Sequence, residues 1–276
     1  TTDVTVTMSG DEDGVLSDGT NTATFTDVEE VILGAGNDSI TGSTGDDSVV
    51  AGEGADTIDM GAGNDTVLGG DGNDLFQGQE GNDTLYGGAG ADVFEQSDGA
   101  GNDTIFGGNG ATDSDLVRFV SSTDVSVTFS GAEAGSYSQN GGATRGAFTD
   151  IESIETAGGN DTINASLSTA AQTIESGAGN DDVLGGTGND VIDGQAGNDT
   201  IDGQAGNDTV YGDAGDDRLS GGDGDDAVFG WTDNDTLYGG AGNDTMSGDQ
   251  GNDTVYGGSG ADDLAGFTGG DTIYGG

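Results

Sequence analysis

The sequence predicts an all-β fold, a parallel β-roll (a β-solenoid) in which two nine-residue repeats complete each coil. Three features of the chain lead to this prediction. Asp recurs at every ninth position over long stretches, and the residue two places after each of these Asp residues is apolar. Gly supplies 59 of the 276 residues and Pro is absent, so the chain can turn tightly and every strand amide is available for a ladder.

The repeat has a constant layout. In GQAGNDTVY at 203–211, Gly stands at positions one and four, Asp at position six and an apolar residue at position eight. In the first block the sixth-position residues are Asp38, Asp47, Asp56, Asp65, Asp74, Asp83 and Asp92, followed by Asp103 after two inserted residues. In the second block they are Asp181, Asp190, Asp199, Asp208, Asp217, Asp226, Asp235, Asp244, Asp253, Asp262 and Asp271.

Each repeat divides into a turn of six residues and a strand of three. Gly at positions two and four permits the left-handed backbone that a tight turn needs. In the strand, neighbouring side chains point to opposite faces, so position eight alone faces inward, which explains its apolar character. Odd repeats are then expected to stack into one parallel sheet and even repeats into the other.

This pattern resembles the RTX family, the hemolysin-type calcium-binding repeats with the consensus GGxGxDxUx. About nineteen frames fit that consensus and cover some two thirds of the chain. Calcium takes roughly six to eight oxygen ligands from carboxylates and carbonyls, which turns of Gly and Asp offer, whereas magnesium needs a smaller octahedral site. Because stacked carboxylates repel one another, we expect the coils to need calcium in order to close.

The resemblance also implies where the ions lie. In the family each ion sits between turns n and n+2. One turn gives its carbonyls at positions two and four, the other its carbonyls at positions one and three, and each gives its Asp. Carried over to this chain, one ion is held by Gly186, Gly188, Asp190, Gly203, Ala205 and Asp208. All the sixth-position aspartates are thus predicted ligands, and five pairs in the first block with nine in the second predict about fourteen ions.

Several turns depart from the layout. Trp231 and Phe267 replace the Gly at position two, and Asp233 replaces the Gly at position four; Asp tolerates the left-handed region, so we expect that turn to persist. The other replacements at position two are Gln79, Gln195, Gln204, Asp213 and Asp249. Gln172 stands where Asp belongs, so we expect a strand with Ile174 inward and no strong ion site.

The chain divides into four predicted segments. Residues 1–33 form a β-rich leader, 34–115 the first β-roll, 116–157 a second leader and 158–276 the second β-roll. The leaders contain TDVTVTMSG and TDVSVTFSG, whose alternating apolar residues indicate short strands with one buried face. One larger unit is therefore duplicated, and each leader is expected to cover the starting end of its roll.

Charge and composition exclude several function classes. With 53 acidic and 3 basic residues the formal net charge is −50, so nucleic acid and anionic membranes are poor partners. Cys and His are absent, which removes disulfides, a Ser-His-Asp triad and His-ligated zinc. No apolar run is long enough to span a bilayer. Because calcium accounts for the repeat carboxylates, we expect no enzymatic activity from this chain.

Two functional hypotheses follow. The first is a calcium-folded extracellular structural array in a bacterial surface layer, adhesin or biofilm matrix, with calcium and a second copy or a neighbouring cell-surface protein as partners. The duplicated unit favours it, since tandem units build extended assemblies. The alternative is the C-terminal RTX region of a secreted enzyme or toxin. Family members leave bacteria by type I secretion with a C-terminal signal, so we expect a secreted protein of which this chain is a piece.

The outward-facing position nine offers a candidate partner surface. Tyr238, Tyr256 and Tyr274 recur there eighteen residues apart and are expected to stack on one sheet. Exposed aromatic ladders can form interfaces, although β-forming residues also pack on a sheet face without any partner. Ice binding through the turns is disfavoured, because position three varies among Ala, Thr and Asp.

Overall fold

The computed structural model describes residues 2–10, 13–26, 28, 30–97, 99, 101–108, 114–139 and 145–276, and the elements within them are all strands. The chain forms two compact units, Thr1–Val120 with Ala143–Ile151 and Ser121–Gly142 with Glu152–Gly276. None of the described segments is a helix long and apolar enough to cross a membrane. The predicted all-β, parallel β-roll fold is confirmed, whereas the division into leaders and rolls stays a prediction.

The first unit is a roll of two sheets. Its strands are β1 (Thr5–Gly10), β2 (Asp13–Ser17), β3 (Thr22–Phe25), β4 (Val31–Ile32), β5 (Ser39–Thr41), β6 (Ser48–Glu53), β7 (Thr57–Asp59), β8 (Thr66–Asp71), β9 (Leu75–Gln77), β10 (Thr84–Ala89), β11 (Val93–Gln96), β12 (Asp103–Gly108), β13 (Leu116–Phe119) and β16 (Gly146–Thr149). One sheet has the order β3-β2-β1-β5-β7-β9-β11-β13, and the other β4-β6-β8-β10-β12-β16. Repeat strands pair in parallel, as where Ile40 lies beside Ile58.

The second unit is built in the same way. Its strands are β14 (Val125–Phe129), β15 (Gly135–Gln139), β17 (Ser153–Glu155), β18 (Thr162–Asn164), β19 (Thr173–Glu175), β20 (Asp182–Gly186), β21 (Val191–Asp193), β22 (Thr200–Ala205), β23 (Thr209–Ala214), β24 (Arg218–Asp223), β25 (Ala227–Thr232), β26 (Thr236–Ala241), β27 (Thr245–Ser247), β28 (Thr254–Ser259), β29 (Asp263–Ala265) and β30 (Thr272–Tyr274). One sheet runs β17-β19-β21-β23-β25-β27-β29, and the other β15-β14-β18-β20-β22-β24-β26-β28-β30.

The strands expected from the alternating segments are present. Strand β1 buries Val6 and Met8, and it pairs in parallel with β5 so that Val6 lies beside Ile40. Strand β14 pairs in parallel with β18, with Val127 beside Ile163. Both also begin antiparallel hairpins, β1 with β2 and β14 with β15. In each unit, the first strand of a hairpin therefore pairs with a repeat strand, in the place that an earlier repeat would otherwise occupy.

The core of each unit is a column of eighth-position side chains. The fully buried members are Ile40, Val49, Ile58, Val67, Phe76, Leu85, Phe94, Ile105, Ile163, Ile174, Val183, Ile192, Ile201, Val210, Leu219, Val228, Leu237, Met246 and Val255. Phe76 and Phe94 stack with their ring centroids 4.7 Å apart. Ile273, in the edge strand β30, is 45% exposed. Burial of this column supplies the apolar part of the fold's stability.

The irregular turns keep the geometry of the regular ones. Asp233, Trp231 and Phe267 adopt φ of 78°, 74° and 60°, the left-handed backbone usual for Gly. The remaining second-position replacements do the same, with φ of 67° at Gln79, 66° at Gln195, 75° at Gln204, 69° at Asp213 and 68° at Asp249. The expectation that the Asp233 turn persists is confirmed. Stacking also limits side chains, because a Cβ on Gly206 would overlap the Gly188 carbonyl oxygen.

Candidate metal centre

The sixth-position aspartates lie one above another, because strands eighteen residues apart stack in register. Two of the predicted ligands, Asp262 and Asp271 in the last coils, are half-buried. The fully buried ones are Asp38, Asp47, Asp56, Asp65, Asp74, Asp83, Asp92, Asp103, Asp181, Asp190, Asp199, Asp208, Asp217, Asp226, Asp235, Asp244 and Asp253. Carboxylates are rarely fully buried unless they are paired with positive charge, so these columns need a counter-ion.

One oxygen of each carboxylate is fixed by a backbone N–H one coil earlier. The N–H of Asp190 donates to Oδ1 of Asp208 at 2.8 Å, and the N–H of Asp208 donates to Oδ1 of Asp226 at 2.9 Å. Such a bond, 2.7–3.2 Å long, reaches Oδ1 of every predicted aspartate except Asp47. Asp47 accepts the Ser43 N–H at Oδ2 instead. The ladder therefore orients the carboxylates and ties successive coils together.

The second carboxylate oxygen is buried without a donor. This holds, among the residues that the structure describes, for Oδ2 of Asp56, Asp65, Asp74, Asp83, Asp199, Asp208, Asp217, Asp226, Asp235, Asp244, Asp253 and Asp262. A buried charged acceptor without a partner costs on the order of 1–3 kcal/mol or more. A cation at these oxygens would remove that cost.

Burial dominates the acidity of the columns. It raises the pKa of Asp208 to about 7, the Asp190 N–H lowers it, and the carboxylates of Asp190 and Asp226 raise it further. Burial likewise raises the pKa of Asp217 to about 8 and those of Asp199 and Asp235 to about 7. The columns therefore resist carrying their full negative charge at neutral pH unless positive charge compensates it.

Gly at position one keeps space beside the unpartnered oxygens. A Cβ added to Gly203 would lie 2.5 Å from Oδ2 of Asp208 and 2.8 Å from the carbonyl oxygen of Gly221. A Cβ added to Gly194 would likewise lie 2.5 Å from Oδ2 of Asp199 and 3.2 Å from the carbonyl oxygen of Gly212. Each such space is thus bordered by a carboxylate oxygen and by a carbonyl oxygen of the next coil. These are the hard oxygen donors that calcium prefers.

The residues predicted to hold one ion lie on neighbouring coils of the second unit. Gly186 donates its N–H to Oδ2 of Asp190 at 2.8 Å. The carbonyl oxygen of Gly203 borders the same space as that Oδ2, the Gly188 carbonyl faces the next coil, and Ala205 ends β22. Within the described ranges, no three acidic, His or Cys side chains converge to hold a metal. A calcium ion here would thus take most of its oxygens from the backbone, and the individual ligand assignments stay predictions.

Two further aspartates, which are not among the predicted ligands, join the columns. The Asp92 N–H donates to Oδ1 of Asp115 at 2.8 Å across 23 residues, and the Val125 N–H donates to Oδ1 of Asp161 at 2.7 Å. Both aspartates are buried. Asp115 was missed because its spacing is irregular; its signal is the apolar residue, Val117, two places later. Asp161 shows the same signal with Ile163.

A second ladder runs outside the aspartate columns. At position five the side-chain oxygen accepts the N–H of the residue eighteen later, as from Asn198 to Asn180 and from Asn207 to Asn189, at 2.8 and 2.9 Å. This ladder uses side chains that carry no charge or lie in solvent. It explains the recurrent Asn of the GND sequences.

Gln172, which stands in the place of a sixth-position Asp, is held in its column by hydrogen bonds. Its N–H donates to Oδ1 of Asp190 at 2.8 Å, and its Nε2 donates to the Ala132 carbonyl at 3.1 Å. Ile174 is buried in β19, which confirms the expected strand. An amide at this point supplies no carboxylate for a cation.

The chain matches the family model of the RTX calcium-binding nonapeptide repeat (4 copies) over residues 32–67, 68–95, 97–111, 175–210, 203–237, 211–246, 232–264 and 256–276, well over half its length. No curated protein matches the chain. The match covers both units, and the donor-free oxygens described above fit the cation that the family binds. The chain therefore belongs to the family of RTX calcium-binding nonapeptide repeat proteins and is itself a calcium-binding repeat protein.

Proposed function

We propose that the chain is a calcium-folded, extracellular structural part of a bacterial surface layer, adhesin or matrix. The observation that carries the proposal is the column of buried, donor-free carboxylate oxygens, such as Oδ2 of Asp199 and Asp208. A chain with a formal charge of −50 pays a large desolvation cost to bury such a column at neutral pH. Calcium-rich surroundings outside the cell would supply the missing positive charge.

The chain's own groups prepare each site. The Asp190 N–H fixes one oxygen of Asp208, so the other is held toward the space that Gly203 leaves open. Bound calcium supplies charge compensation and shared coordination between coils. Ligand binding to the folded state alone stabilises it by about 2.7 kcal/mol per site at a hundredfold excess over Kd. We propose about fourteen such ions, which would reduce the formal charge from −50 to −22.

Exposed aromatic ladders support an assembly role. Tyr238, Tyr256 and Tyr274 stack with centroid distances of 5.1 and 4.8 Å on the outer face of the second unit. In the first unit Tyr86 and Phe106 stack at 4.7 Å. Apolar rows of this kind suit a second copy of the chain or a neighbouring cell-surface protein. The proposal gives the repeat carboxylates no catalytic role.

Electron microscopy of the purified chain, with calcium and after chelation with EGTA, tests the assembly role. We expect ordered arrays or filaments in calcium that disappear on chelation and return when calcium is restored. Dispersed single particles under both conditions, at concentrations where calcium binding is saturated, would overturn the structural proposal while leaving calcium binding intact.

A further inference from the structure

The aromatic ladder on one sheet of the second unit stops abruptly. Tyr211 and Phe229 stack at position nine with a centroid distance of 5.4 Å. The next two residues in the same register are Ser247 beside Phe229 and then Ala265. The other sheet keeps Tyr at this position through Tyr256 and Tyr274. Two successive small residues therefore leave a depression in an otherwise filled outer face.

Aromatic and acidic residues alternate along the turn beside this depression. At position two the successive coils carry Asp213, Trp231, Asp249 and Phe267, all at left-handed φ between 60° and 74°. Bulky side chains rarely adopt this conformation, and Gly stands at this position in many other repeats. Since adjacent strands lie about 4.8 Å apart, the backbones of Trp231 and Phe267 are about 10 Å apart, with Asp249 between them.

Together these residues form a cleft of about 470 Å³. Trp231 and Phe267 form its walls, Ser247 and Ala265 form its floor, and Asp249 and Asp263 line it with carboxylates. Trp231 is 47% exposed and Phe267 is 70% exposed, so both rings are available to a ligand. A second hollow of about 410 Å³ lies on the Asp213 side of Trp231.

The floor contains a polar group without a partner. Ser247 is only 7% exposed although position nine faces outward, and its Oγ has no hydrogen-bond partner in the described part of the chain. A buried hydroxyl without a hydrogen bond costs on the order of 1–3 kcal/mol. This unpaired hydroxyl belongs to a residue that lines the cleft, and it is independent of the aromatic walls.

The chemistry of the lining selects organic cations. Aromatic faces attract ammonium and guanidinium groups, and carboxylates accept charge-assisted hydrogen bonds from them. The formal charge of −50 repels anionic ligands and attracts basic ones. The same chemistry occurs within the chain, where the Arg218 guanidinium carbon lies 4.3 Å from the centre of the Tyr238 ring and Nη1 donates to the Tyr238 hydroxyl.

We propose that this cleft binds an arginine or lysine side chain from a basic segment of a partner protein. The methylene stem of that side chain lies between Trp231 and Phe267, and its charged head meets Asp249 and Asp263. The site exists only on folded coils, so the inference rests on the calcium-folded roll. Its test is therefore made in saturating calcium, with the circular dichroism spectrum recorded first.

Trp231 is the single Trp of the chain and reports on the cleft directly. The probe is a short blocked peptide with two arginines, and the matched control is the same peptide with citrulline, which keeps the shape and removes the charge. We expect the arginine peptide to change the Trp231 fluorescence saturably and the citrulline peptide to bind about tenfold more weakly or less. Equal binding of the two peptides, or tighter binding of a neutral oligosaccharide, would overturn the proposal.

Variants separate the cleft from the general negative charge. Phe267→Gly restores the usual residue at a left-handed position, and Asp249→Asn removes a charge with a residue that tolerates this backbone. Each substitution is expected to weaken binding of the arginine peptide about tenfold. Gln195→Gly makes the same backbone change two coils away and is expected to leave binding unchanged. Equal affinity in all three variants, each with an intact spectrum, would show non-specific attraction and refute the site. A chain without β signal in calcium would instead refute the proposed function.

Discussion

The backbone N–H of Asp190 donates to Oδ1 of Asp208 at 2.8 Å, while Oδ2 of Asp208 is buried without a donor. One oxygen of this carboxylate is thus fixed by a backbone hydrogen bond, and the other has no hydrogen-bond donor from the polypeptide. The relationship repeats along both units because the coils stack in register. Protons or a divalent cation can satisfy such an oxygen, and these two compete for it.

Protonation should substitute for calcium in the metal-free chain. Burial raises the pKa values of Asp74, Asp208 and Asp217 to about 6, 7 and 8. Because these folded-state pKa values lie above the ordinary value of 3.8, the stability contributed by protonation is present below pH 3.8 and is lost as pH rises through 6 to 8.

In EGTA we therefore expect β signal in the circular dichroism spectrum to increase as pH falls from 8 to 5. In saturating calcium the trend should reverse, because protons displace the cation. A metal-free chain whose β signal decreases on the same acidification would contradict this explanation of the buried carboxylates.

The substitution Asp208→Asn should have opposite effects with and without calcium. In EGTA at neutral pH it removes a buried charge, so we expect β signal in the circular dichroism spectrum to increase relative to the unchanged chain. In calcium it removes a charged ligand and should lower both calcium affinity and stability. Circular dichroism in EGTA measures the first effect, and denaturant unfolding with calorimetric titration in calcium measures the second. Asp182→Asn, the same charge change at an exposed position, is the control; it should leave the spectrum in EGTA unchanged and shift stability in calcium by no more than about 0.5 kcal/mol. Effects of one sign in both conditions would count against the model.

The substitution Gly203→Ala should fill the space beside the unpartnered oxygen. Its Cβ would lie 2.5 Å from Oδ2 of Asp208, so we expect a loss of about 1–3 kcal/mol in saturating calcium together with weaker calcium binding. Gly34→Ala is the matched control, because a Cβ there meets no atom within 4 Å. If thermal unfolding in calcium moved equally in both variants, the space at Gly203 would have no special role.

The substitution Gln172→Asp should add a calcium site. It places a carboxylate one coil from Asp190, at the point where the column is interrupted. Equilibrium dialysis should then give one more ion per chain than the unchanged protein. Gln195→Asp, which adds the same charge at position two, should leave the count as it was. An unchanged count for both would show that the repeating carboxylate does not define the sites.

The substitution Tyr256→Ser should weaken self-association in calcium, because it interrupts the ladder between Tyr238 and Tyr274. Analytical ultracentrifugation measures it, and Tyr211→Ser on the opposite sheet is the control. Association that is equally strong in both variants and in the unchanged chain would remove the tyrosine ladder as the interface.

The period of the sequence was sufficient to predict the fold. In a coil of two sheets, an apolar side chain at position eight, such as that of Ile192 or Val210, avoids water only by facing the interior. Both of these side chains are buried. The left-handed turns at Gln204 and Asp233 were predictable for the same reason, since their neighbours in the repeat constrain them.

Features that depend on contacts between coils were harder to predict. The irregular spacing of Asp115 hid a ladder partner that appears only once the strands are in register. The reason for Gly at position one, space beside a carboxylate oxygen, was likewise invisible without the coil above it. The cleft was not predictable, because Ser247, Ala265 and the two aromatic residues that line it lie on different coils and form no local sequence pattern.

Circular dichroism of the whole chain at neutral pH, in calcium and then in excess EGTA, shows whether the coils need calcium in order to fold. We expect a β spectrum with calcium, its loss on chelation, and its return when calcium is added back. A β spectrum that persists unchanged in EGTA at neutral pH would show that the buried carboxylates need no cation, and would contradict calcium-dependent folding.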